Sequence, residues 1–399
     1  MPNPATGPLI GVHVADFSSF IAGSFAAMLL GDMGASVIKI EPPDGDLARA
    51  WAPFLNGESR FFQAWNRGKR SIAVDLTRSE GREIAHRLAR RADIVIENYR
   101  RGVTRKLGID YETLREINPR LIYCSSTAFG ARGPLRDRPG YDPVLQCVSG
   151  AAADNARLNG GKVAISAVAV SDYQASMQIV AGALAALYRR DRTGEGQKVE
   201  TSLLQAVMAV QAHYFVQALD CDEEGGVGIY PYRLLPTRDS QIFIATATDR
   251  FWRMFCEAIG APELATNPRY RTNSLRVQAA AELTPVIESI LQTKTTAEWE
   301  ALLIERGVPC ASVGTCREFL TDPQVEAMGM NPVIEHPAFG RLRMFGIPID
   351  FERTPGTIQG PAPRMGEHTK EILEELGYTA SQREDLRRDD IVGRQGPPA

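Results

Sequence analysis

The fold is decided by Ile10-Gly11-Val12-His13-Val14-Ala15-Asp16, an apolar run that predicts a buried β-strand. Residues 22–33 follow as a helix rich in small side chains. Ser36-Val37-Ile38-Lys39-Ile40-Glu41 then predicts a second strand, which ends at Pro42-Pro43. A strand, a helix and a second apolar strand form a βαβ unit, and the two strands of such a unit run parallel. The first part of the chain is therefore predicted to be an α/β domain.

The same alternation continues along the chain. Apolar runs at residues 93–98 and 121–126 predict a third and a fourth strand, and Ser79 is a candidate N-cap for a helix between the second and third strands. Apolar strands that alternate with amphipathic helices are typical of a parallel sheet covered by helices on both faces.

The composition changes at residues 220–228, an acidic and glycine-rich stretch that predicts a linker or mobile loop. An apolar helix is predicted before it, at residues 202–219. Beyond the linker we expect a strand at residues 241–247, then mostly helices, and a helix at residues 367–376 near the end. Residues 385–399 are polar and contain two terminal prolines, so they are expected to be disordered or loosely docked.

The overall composition is that of a soluble globular protein. The chain has 399 residues, of which 44% are hydrophobic and 23% charged, with a net charge of −3. This balance gives no indication of nucleic-acid or membrane partners, and no apolar run reaches the length that spans a bilayer. The six cysteines form no CxxC or CxxH pair, which predicts free thiols and no metal site. Without a signal-peptide pattern at the N-terminus, the expected location is the cytoplasm.

Asp172 stands between the strand-like run Ala167-Val168-Ala169-Val170-Ser171 and an apolar helix predicted at residues 173–187. A carboxylate at such a junction is held by rigid elements, and the nearby N–H groups of the helix keep it ionised and oriented. Local sequence favours the common structural explanation, a helix N-cap, over a catalytic carboxylate.

Three basic clusters lie next to predicted strand ends, at residues 66–70, 98–106 and 132–140. Ligands of an open parallel sheet bind at the carboxyl ends of its strands. Several cationic loops on that rim would suit a ligand with several phosphates, although each cluster alone is also typical of solvated loop charges. The second cluster is the strongest candidate because four cations and an aromatic residue follow one strand end.

Several well-known sequence motifs are absent, which reduces the number of functions that the sequence supports. No GxGxxG follows the first strand and no GxxxxGK[ST] occurs, so an ordinary dinucleotide or P-loop site has little support. Neither HExxH nor GxSxG is present, which gives equally little support to a zinc protease or a serine hydrolase.

Seven short segments, in this order, carry a resemblance to a known family. They are residues 11–17 (GVHVADF), 34–42 (GASVIKIEP), 69–76 (KRSIAVDL), 92–99 (ADIVIENY), 140–142 (GYD), 192–199 (RTGEGQKV) and 366–369 (GEHT). Together they make the chain resemble the family III CoA transferases, the group that includes formyl-CoA transferase and carnitine CoA-transferase. The resemblance covers nearly the whole chain.

The resemblance implies an architecture as well as an activity. It implies a large Rossmann-like α/β domain with a parallel sheet, built from residues 1–222 and 329–399, and a smaller α+β domain at residues 223–328. It also implies an interlocked homodimer. The substrates would be coenzyme A, carried as an acyl-CoA, and a carboxylic acid.

In that family the nucleophile is an aspartate just before the helix that leads to the Thr-Gly-x-Gly-Gln segment, and Asp172 occupies this position. The implied reaction moves CoA from an acyl-CoA to an organic acid through an aspartyl–acyl anhydride and an aspartyl–CoA thioester. By position, the residues implied to contact CoA are Ile21, Ala22, Val74, Thr77, Asn98, Tyr99, Arg100, Lys106 and Tyr141.

Some positions depart from the family pattern. Thr77 stands where many relatives have lysine, and Arg101 stands where many have proline. The run of glycines that forms a lid in formyl-CoA transferase is missing. These departures leave the identity of the two acids open. Arg233 is a candidate partner for the second carboxylate of a dicarboxylic acid, or an ordinary surface charge.

Two alternative functions remain at this point. Acyl-CoA racemases of the same superfamily carry a His-Asp pair where this chain has Tyr141-Asp142. Tyrosine, with an ordinary pKa near 10, is a poor substitute for a histidine base with a pKa near 6.5, so the transferase is favoured. A non-catalytic CoA-binding protein would retain the basic loops without needing Asp172.

Overall fold

The computed structural model describes residues 6–157, 161–216, 219, 228–337 and 340–393. The chain divides into two compact units, the first made of Met1–Val216 and Gln324–Ala399 and the second of Gln217–Pro323. The sequence analysis placed the corresponding boundaries at 222/223 and 328/329. The first of these, and the predicted linker at residues 220–228 except for Gly228, lie outside the described residues.

The first unit alternates strands and helices, as its sequence predicts. In chain order its elements are β1 (His13–Asp16), α1 (Ala22–Asp32), β2 (Ser36–Glu41), β3 (Phe54–Leu55), β4 (Glu58–Ser59), α2 (Arg60–Asn66), β5 (Arg70–Ala73), α3 (Ser79–Arg91), β6 (Ile94–Glu97), α4 (Val103–Leu107), α5 (Tyr111–Ile117), β7 (Ile122–Thr127), α6 (Asp142–Val148), α7 (Ala151–Asp154), α8 (Val170–Thr193), β8 (Gln197–Ser202) and α9 (Leu203–Val210).

Six of these strands form one parallel sheet in the spatial order β5-β2-β1-β6-β7-β8. Numbered along the chain, the six strands lie in the order 3-2-1-4-5-6, which is the Rossmann arrangement. The predicted α/β class is confirmed. The order reverses between β1 and β6, so a crevice opens there at the carboxyl ends of the strands.

Helices cover both faces of the sheet because alternate strand residues are apolar on both sides. On one face, Val14, Ile96 and Cys124 pack with residues of α1, α2 and α8 in one buried cluster. On the other, Ala15 and Val95 belong to a second cluster with residues of α3 and α5. Strands buried on both faces need a continuous apolar sequence, which explains why these runs were recognisable.

The end of the chain returns to the first unit. Its elements are α16 (Pro323–Ala327), β12 (Val333–His336), β13 (Gly340–Arg343), α17 (Thr369–Glu375) and α18 (Ala380–Arg388). The prediction that residues 385–399 are loosely docked is wrong for residues 385–393. Leu386, Ile391 and Val392 are buried in the second core cluster, and Val392 forms a backbone bridge with Val74. Residues 394–399 lie outside the described residues.

The second unit combines a small antiparallel sheet with helices. Its elements are β9 (Tyr232–Pro236), β10 (Gln241–Ala245), α10 (Asp249–Ala258), α11 (Pro262–Thr266), α12 (Asn273–Gln278), α13 (Ala280–Leu291), α14 (Thr296–Glu305), β11 (Cys310–Ser312) and α15 (Cys316–Phe319). The sheet order is β11-β10-β9. One face of this sheet packs on the helices through a separate core that contains Trp252 and Trp299. This is the α+β character expected of the smaller domain.

Two local predictions were wrong in ways that affect the site. The run 167–171 is not a strand: helix α8 already begins at Val170, so Asp172 lies in its first turn. Of the helix predicted at residues 202–219, Ser202 instead ends β8, α9 covers Leu203–Val210, a 3₁₀ turn follows at Ala212–Phe215, and residues 217 and 218 lie outside the described residues. None of the described helices, the 24-residue α8 included, is long and apolar enough to cross a membrane.

Gly196 offers a direct test of the sheet edge at β8. A Cβ atom there would lie 2.1 Å from the Leu121 carbonyl oxygen, a backbone atom that cannot move without shifting β7. Gly196→Ala should therefore lower the free energy of unfolding by about 1–3 kcal/mol, measured by chemical denaturation. Gly314→Ala is the matched control because nothing lies within 4 Å of its added methyl group. Equal stability of the two variants would contradict this account of β8.

Candidate active site

The crevice between β1 and β6 is held together by one side-chain amide. Asn98, just after β6, accepts a hydrogen bond from the Ser19 backbone N–H at 2.8 Å and donates one to the Ser19 carbonyl oxygen at 2.7 Å. Ser19 belongs to the loop between β1 and α1. Both polar groups of its peptide are thus fixed from across the crevice, and the loop has a defined path into α1.

A buried ionic cluster holds the same loop from beneath. The Asp16 carboxylate lies 2.7 Å from the Lys69 ammonium and 3.9 Å from that of Lys39, which in turn pairs with Asp46 at 2.8 Å. Lys39 also donates to the Ser18 carbonyl oxygen, and Asp46 accepts the Ser19 hydroxyl. Every charge in the cluster is balanced by a neighbour, as burial in a low-dielectric interior requires.

The pKa values of the cluster follow from burial and pairing. Burial and the neighbouring charge of Lys39 lower the pKa of Lys69 to about 8, partly opposed by the carboxylates of Asp16 and Asp46. For Asp16 the desolvation effect is larger than any single charge contact, but Lys39 and Lys69 together bring its pKa below the ordinary value. The cluster therefore retains ionised carboxylates at neutral pH.

Phe20, the next residue of the loop, has a backbone φ of +60°, which is uncommon for a residue with a side chain. The Asp46 carboxylate accepts its N–H at 3.3 Å. The Phe20 ring makes edge contacts with Trp51 and Tyr141, at centroid distances of 4.8 and 6.1 Å. Trp51 and Tyr141 are both exposed, so these three rings form an apolar surface beside the start of α1.

Asp172 is brought to this region by the packing of α8 on α1. The Ser176 hydroxyl lies 2.7 Å from the Ala22 carbonyl oxygen and 2.9 Å from the Asp172 carbonyl oxygen, sharing its proton between them. Tyr173 packs edge-on against Phe25 of α1 and accepts a hydrogen bond from the Trp65 indole at 3.1 Å. The first turns of α1 and α8 are consequently neighbours.

Asp142, not Asp172, performs the capping role at the start of α8. One oxygen of the Asp142 carboxylate accepts both the Ser171 backbone N–H and the Ser171 hydroxyl, each at 2.7 Å. Its other oxygen accepts from the Gln146 amide at 2.6 Å, and Gln146 also accepts the Ser166 N–H. The N-cap residue Ala169 has no side chain that could satisfy these donors.

The Asp172 carboxylate is left without a partner: among the described residues, no donor or cation contacts it. Desolvation, and secondarily the nearby negative charge of Asp142, raise the pKa of Asp172 to about 7. Perturbed acids of this kind cluster at functional sites, so Asp172 remains the candidate functional carboxylate.

The three basic clusters predicted from the sequence have different surroundings in the structure. The first, at residues 66–70, is structural, and its prediction as an anion site is wrong. Arg67 is 1% exposed and pairs with Asp32, Lys69 lies in the ionic cluster, and Arg70 pairs with Glu375. Arg67 and Lys69 precede β5 and are buried, whereas Arg70 begins β5 and its pair with Glu375 is partly exposed.

The second and third clusters meet. Arg101 after β6 pairs with Asp137 in the third cluster at 3.1 Å. Beside this contact is a cavity of about 460 Å³ next to β6, β7 and β8, with Arg100, Arg105 and Lys198 in its wall. Burial raises the pKa of Glu97, at the same wall, to about 7. The same wall carries five carboxylates (Glu97, Asp110, Glu112, Asp137 and Glu200) against four cations (Arg100, Arg101, Arg105 and Lys198), so the phosphate-binding rim expected of the second cluster stays a prediction.

The positions implied to contact CoA fall into four places. Ile21 and Ala22 start α1, and Asn98, Tyr99 and Arg100 follow β6, so these five border the crevice; Lys106 is on the exposed side of α4, and Tyr141 touches Phe20. Val74 and Thr77 lie beyond the end of β5, at the sheet edge. The Val74 side chain is buried, and Thr77 bonds to Asp75.

Sequence reasoning missed the residues that support the site. Asp142 and Ser171 are 29 positions apart, and nothing in either local pattern shows that they meet. The partners Asp16, Lys39 and Lys69 are likewise brought together only by the strand order. A charged residue inside an otherwise apolar strand, as at Lys39, was the one available signal, because such a residue needs a buried partner.

The chain is similar to several known proteins over most of its length. Residues 9–369 match the model of CoA-transferase family III. A succinate–glutarate CoA-transferase from Agrobacterium fabrum is 36% identical over 390 residues, covering 94% of this chain and 97% of its own. The human succinyl-CoA:glutarate CoA-transferase is 33% identical over 377 residues, covering 92% and 86%. A crystal structure of a CaiB/BaiF family protein from Brucella suis is 34% identical, with a TM-score of 0.79 over 93% of this chain and 100% of that one.

The chain belongs to CoA-transferase family III. Because these relatives are CoA-transferases that match most of its length, the protein is an enzyme that transfers CoA between a CoA thioester and a carboxylic acid. The two alternatives left open by the sequence, a racemase and a non-catalytic binding protein, are not needed to explain any feature of the site.

The raised pKa of Asp172 predicts a pH dependence of both activity and stability. If the carboxylate is the reactive form, kcat/KM for an acyl-CoA should rise with pH through an apparent pKa near 7 in the free enzyme. The unfolded chain ionises near the ordinary value, so ionised Asp172 costs folding free energy that grows from about pH 4 to pH 7, by at most about 4 kcal/mol. Asp172→Asn should therefore gain stability over the wild type as pH rises through this window.

Asp142→Asn separates the two causes of the shift. The amide oxygen still accepts the Ser171 N–H, but the like charge is gone, so the apparent pKa of kcat/KM should fall. The measurement is a set of pH–rate profiles for wild type and variant, with chemical denaturation at pH 5 and pH 8. An apparent pKa that stays in place, or rises, in Asp142→Asn would show that the two carboxylates do not interact.

Proposed function

We propose that Asp172 is the nucleophile that carries the acyl group and then CoA. Its carboxylate attacks the donor thioester carbonyl, forms an aspartyl–acyl anhydride and releases the CoA thiolate. The thiolate attacks the aspartyl carbonyl, forming the aspartyl–CoA thioester and releasing the donor acid. The acceptor carboxylate then reverses both steps, so no oxidant, metal or net proton is required.

The observation that carries this proposal is the unpartnered state of the Asp172 carboxylate beside the start of α1. A carboxylate that accepted structural hydrogen bonds would lose nucleophilicity, but here Asp142 takes that structural role. Partial burial also favours the neutral anhydride over the charged carboxylate, which brings ground state and intermediate closer in free energy.

Backbone N–H groups at the two helix starts are available for the developing oxyanion. Among the described residues, the N–H groups of Ile21, Ala22 and Gly23 have no acceptor, as expected for the first turn of α1. The Asp172 N–H likewise has no acceptor among the described residues. Preorganised donors of this kind typically contribute about 10²–10³ in rate each. The two hydrogen bonds between Asn98 and Ser19, together with the ionic cluster beneath the β1–α1 loop, fix that loop and therefore the N–H groups at the start of α1.

We infer that the acids exchanged are dicarboxylic. The relatives described above are named for succinate and glutarate, and both are short dicarboxylates. The proposal implies a cation for the carboxylate that does not react.

We also propose that the active enzyme is a homodimer with interlocked chains. Helix α8 is 24 residues long and its outward stripe is apolar: Met177, Ala181, Ala185 and Tyr188 are all exposed, Tyr188 at 61%. Tyr214, Phe215 and Val216 are exposed after α9. Contiguous apolar surface of this kind on a monomer marks an association site. A second copy of the chain is the partner that the family resemblance implies.

The covalent proposal is tested by trapping. Wild type incubated with succinyl-CoA and hydroxylamine should yield a hydroxamate at Asp172, located by peptide mass spectrometry. Asp172→Asn and Asp172→Ala should lose transferase activity by about three orders of magnitude or more, with the fold retained. Asp191→Asn, an exposed aspartate at the far end of α8, is the control and should keep both activity and the adduct. An adduct on another residue, or an active Asp172→Ala variant, would overturn the assignment.

The dimer is tested by sedimentation velocity. Wild type should sediment with twice the mass of one chain, and Met177→Lys should weaken the dimer because it places a charge in the apolar stripe of α8. Ser381→Lys adds the same charge at an exposed position of α18 and should leave the mass unchanged. A monomeric wild type, or an equal effect of the two lysines, would contradict the proposal.

A further inference from the structure

Glu97, the last residue of β6, is a buried carboxylate that takes no part in the proposed chemistry. Only 4% of its surface is exposed. By strand alternation it lies on the same face of the sheet as Val95, whereas Asp172 belongs to α8 on the other face. A carboxylate is rarely buried unless it has partners, so the partners of Glu97 indicate its role.

The Glu97 side chain closes the turn that follows its own strand. One carboxylate oxygen accepts the Tyr99 backbone N–H at 2.9 Å, across the intervening residue Asn98. The carboxylate also accepts a hydrogen bond from the Ser125 hydroxyl, and Ser125 lies opposite Glu97 in the parallel pairing of β6 with β7. The carboxylate is therefore attached to the neighbouring strand, and the turn is attached to the carboxylate.

Asn98 is the residue enclosed by this turn, and its side chain reaches the β1–α1 loop. Its amide accepts the Ser19 N–H at 2.8 Å and donates to the Ser19 carbonyl oxygen at 2.7 Å. The loop leads into α1, whose N-cap residue is Ile21. A planar amide that must accept and donate at once tolerates little rotation, so these two bonds require a fixed backbone on both sides of Asn98.

The Glu97 carboxylate is what fixes the backbone after Asn98. Among the described residues, the Tyr99 N–H has no other acceptor. Without the carboxylate this N–H would stand in a half-buried turn with no hydrogen bond, a state unfavourable enough to make the turn rearrange. Removal of a side chain on one face of the sheet should thus loosen a contact that reaches the crevice.

The hydrogen bond to Tyr99 does not depend on the charge of Glu97. Burial raises the pKa of Glu97 to about 7, opposed in part by the hydrogen bonds from Ser125 and Tyr99, while Lys198 and Glu200 of β8 have smaller, opposite effects. A carboxyl group keeps an acceptor oxygen in both protonation states, and a serine hydroxyl can donate or accept. A neutral side chain of the same shape should therefore replace Glu97.

We propose that Glu97 is a positioning residue for CoA transfer, which holds the turn at Asn98 and, through Asn98 and Ser19, orients the N–H groups at the start of α1. The inference rests on the proposed role of those N–H groups in stabilising the oxyanion at Asp172. Charge on that oxygen develops only towards the transition state. A loosened turn should therefore lower kcat while the KM for the acyl-CoA changes little.

The kinetic test uses succinyl-CoA and glutarate with a set of variants. Glu97→Ala and Asn98→Ala should each lower kcat by about 10²-fold, because a small displacement of the donors is costly. Glu97→Gln keeps an acceptor for the Tyr99 N–H and should retain most of kcat. Since Glu97 acts through Asn98, the double variant of Glu97→Ala with Asn98→Ala should be no slower than Asn98→Ala alone.

Ser125→Ala keeps the test decisive if Glu97→Ala does not fold. It removes only the hydroxyl that holds the carboxylate, and it should lower kcat in the same way by about tenfold. Glu112→Ala is the matched control. Glu112 lines the same cavity and is exposed, but its carboxylate pairs with Arg115 at 3.4 Å instead of with the turn. This variant should keep the wild-type kcat and KM.

Hydrogen exchange measured by mass spectrometry reports the position of the loop without turnover. Residues 17–25 should exchange about tenfold faster in Glu97→Ala and Asn98→Ala than in the wild type. In Glu97→Gln and Glu112→Ala they should exchange at the wild-type rate. Because no substrate is present, the exchange result stands even if Asp172→Ala proves active and another residue is the nucleophile.

Several outcomes would overturn the proposal. They are a Glu97→Gln variant as slow as Glu97→Ala, a double variant slower than Asn98→Ala, and a change confined to KM. Unchanged exchange of residues 17–25 in the folded Glu97→Ala or Ser125→Ala variants, or an equal effect of Glu112→Ala, would do the same.

Discussion

The pairing of Asp16 with Lys69 and Lys39 is the interaction on which the rest of the first unit depends. Asp16 ends β1, Lys39 belongs to β2 and Lys69 precedes β5, so one carboxylate joins three adjacent strands. Such charges are stable in the interior only if all are paired, and removing one partner typically costs about 3–5 kcal/mol. The cluster therefore allows one arrangement of the strand ends. That arrangement determines where the β1–α1 loop runs and where the crevice opens.

The site itself separates structural and chemical roles between two carboxylates. Asp142 accepts the N–H and hydroxyl groups of Ser171 and so holds the start of α8. Asp172, one residue further along the helix, is rigidly placed without being used to stabilise it. Burial, and secondarily the charge of Asp142, raise the pKa of Asp172. Two carboxylates with different surroundings thus have different properties although both belong to the first turn of a helix.

Much of the architecture was accessible from the sequence because the strands buried on both faces need continuous apolar runs. The runs at β1, β2, β6 and β7 were recognised for this reason. By contrast, β8 was missed: Gln197–Ser202 is an edge strand with polar residues, and the adjoining apolar stretch was assigned to one long helix. The extent of α8 was misjudged because Val168 and Val170 suggest a strand, whereas the Asp142 carboxylate stabilises the helix start from a distant part of the chain. A local sequence pattern shows only the local structural preference. Where helices and strands begin and end also depends on contacts between residues far apart in sequence.

The pairing of Val392 with Val74 has a further consequence for solubility. Strand β5 is at the edge of the sheet, where unpaired backbone groups invite strands from other molecules. Residues 391–393 run along the end of this edge and occupy its hydrogen-bonding groups, while α17 lies over the strand through the Arg70–Glu375 pair and the His368 N–H. The last segment of the chain thus protects the sheet against intermolecular strand addition. A chain shortened before residue 391 would retain its apolar strands but would carry an open, aggregation-prone edge.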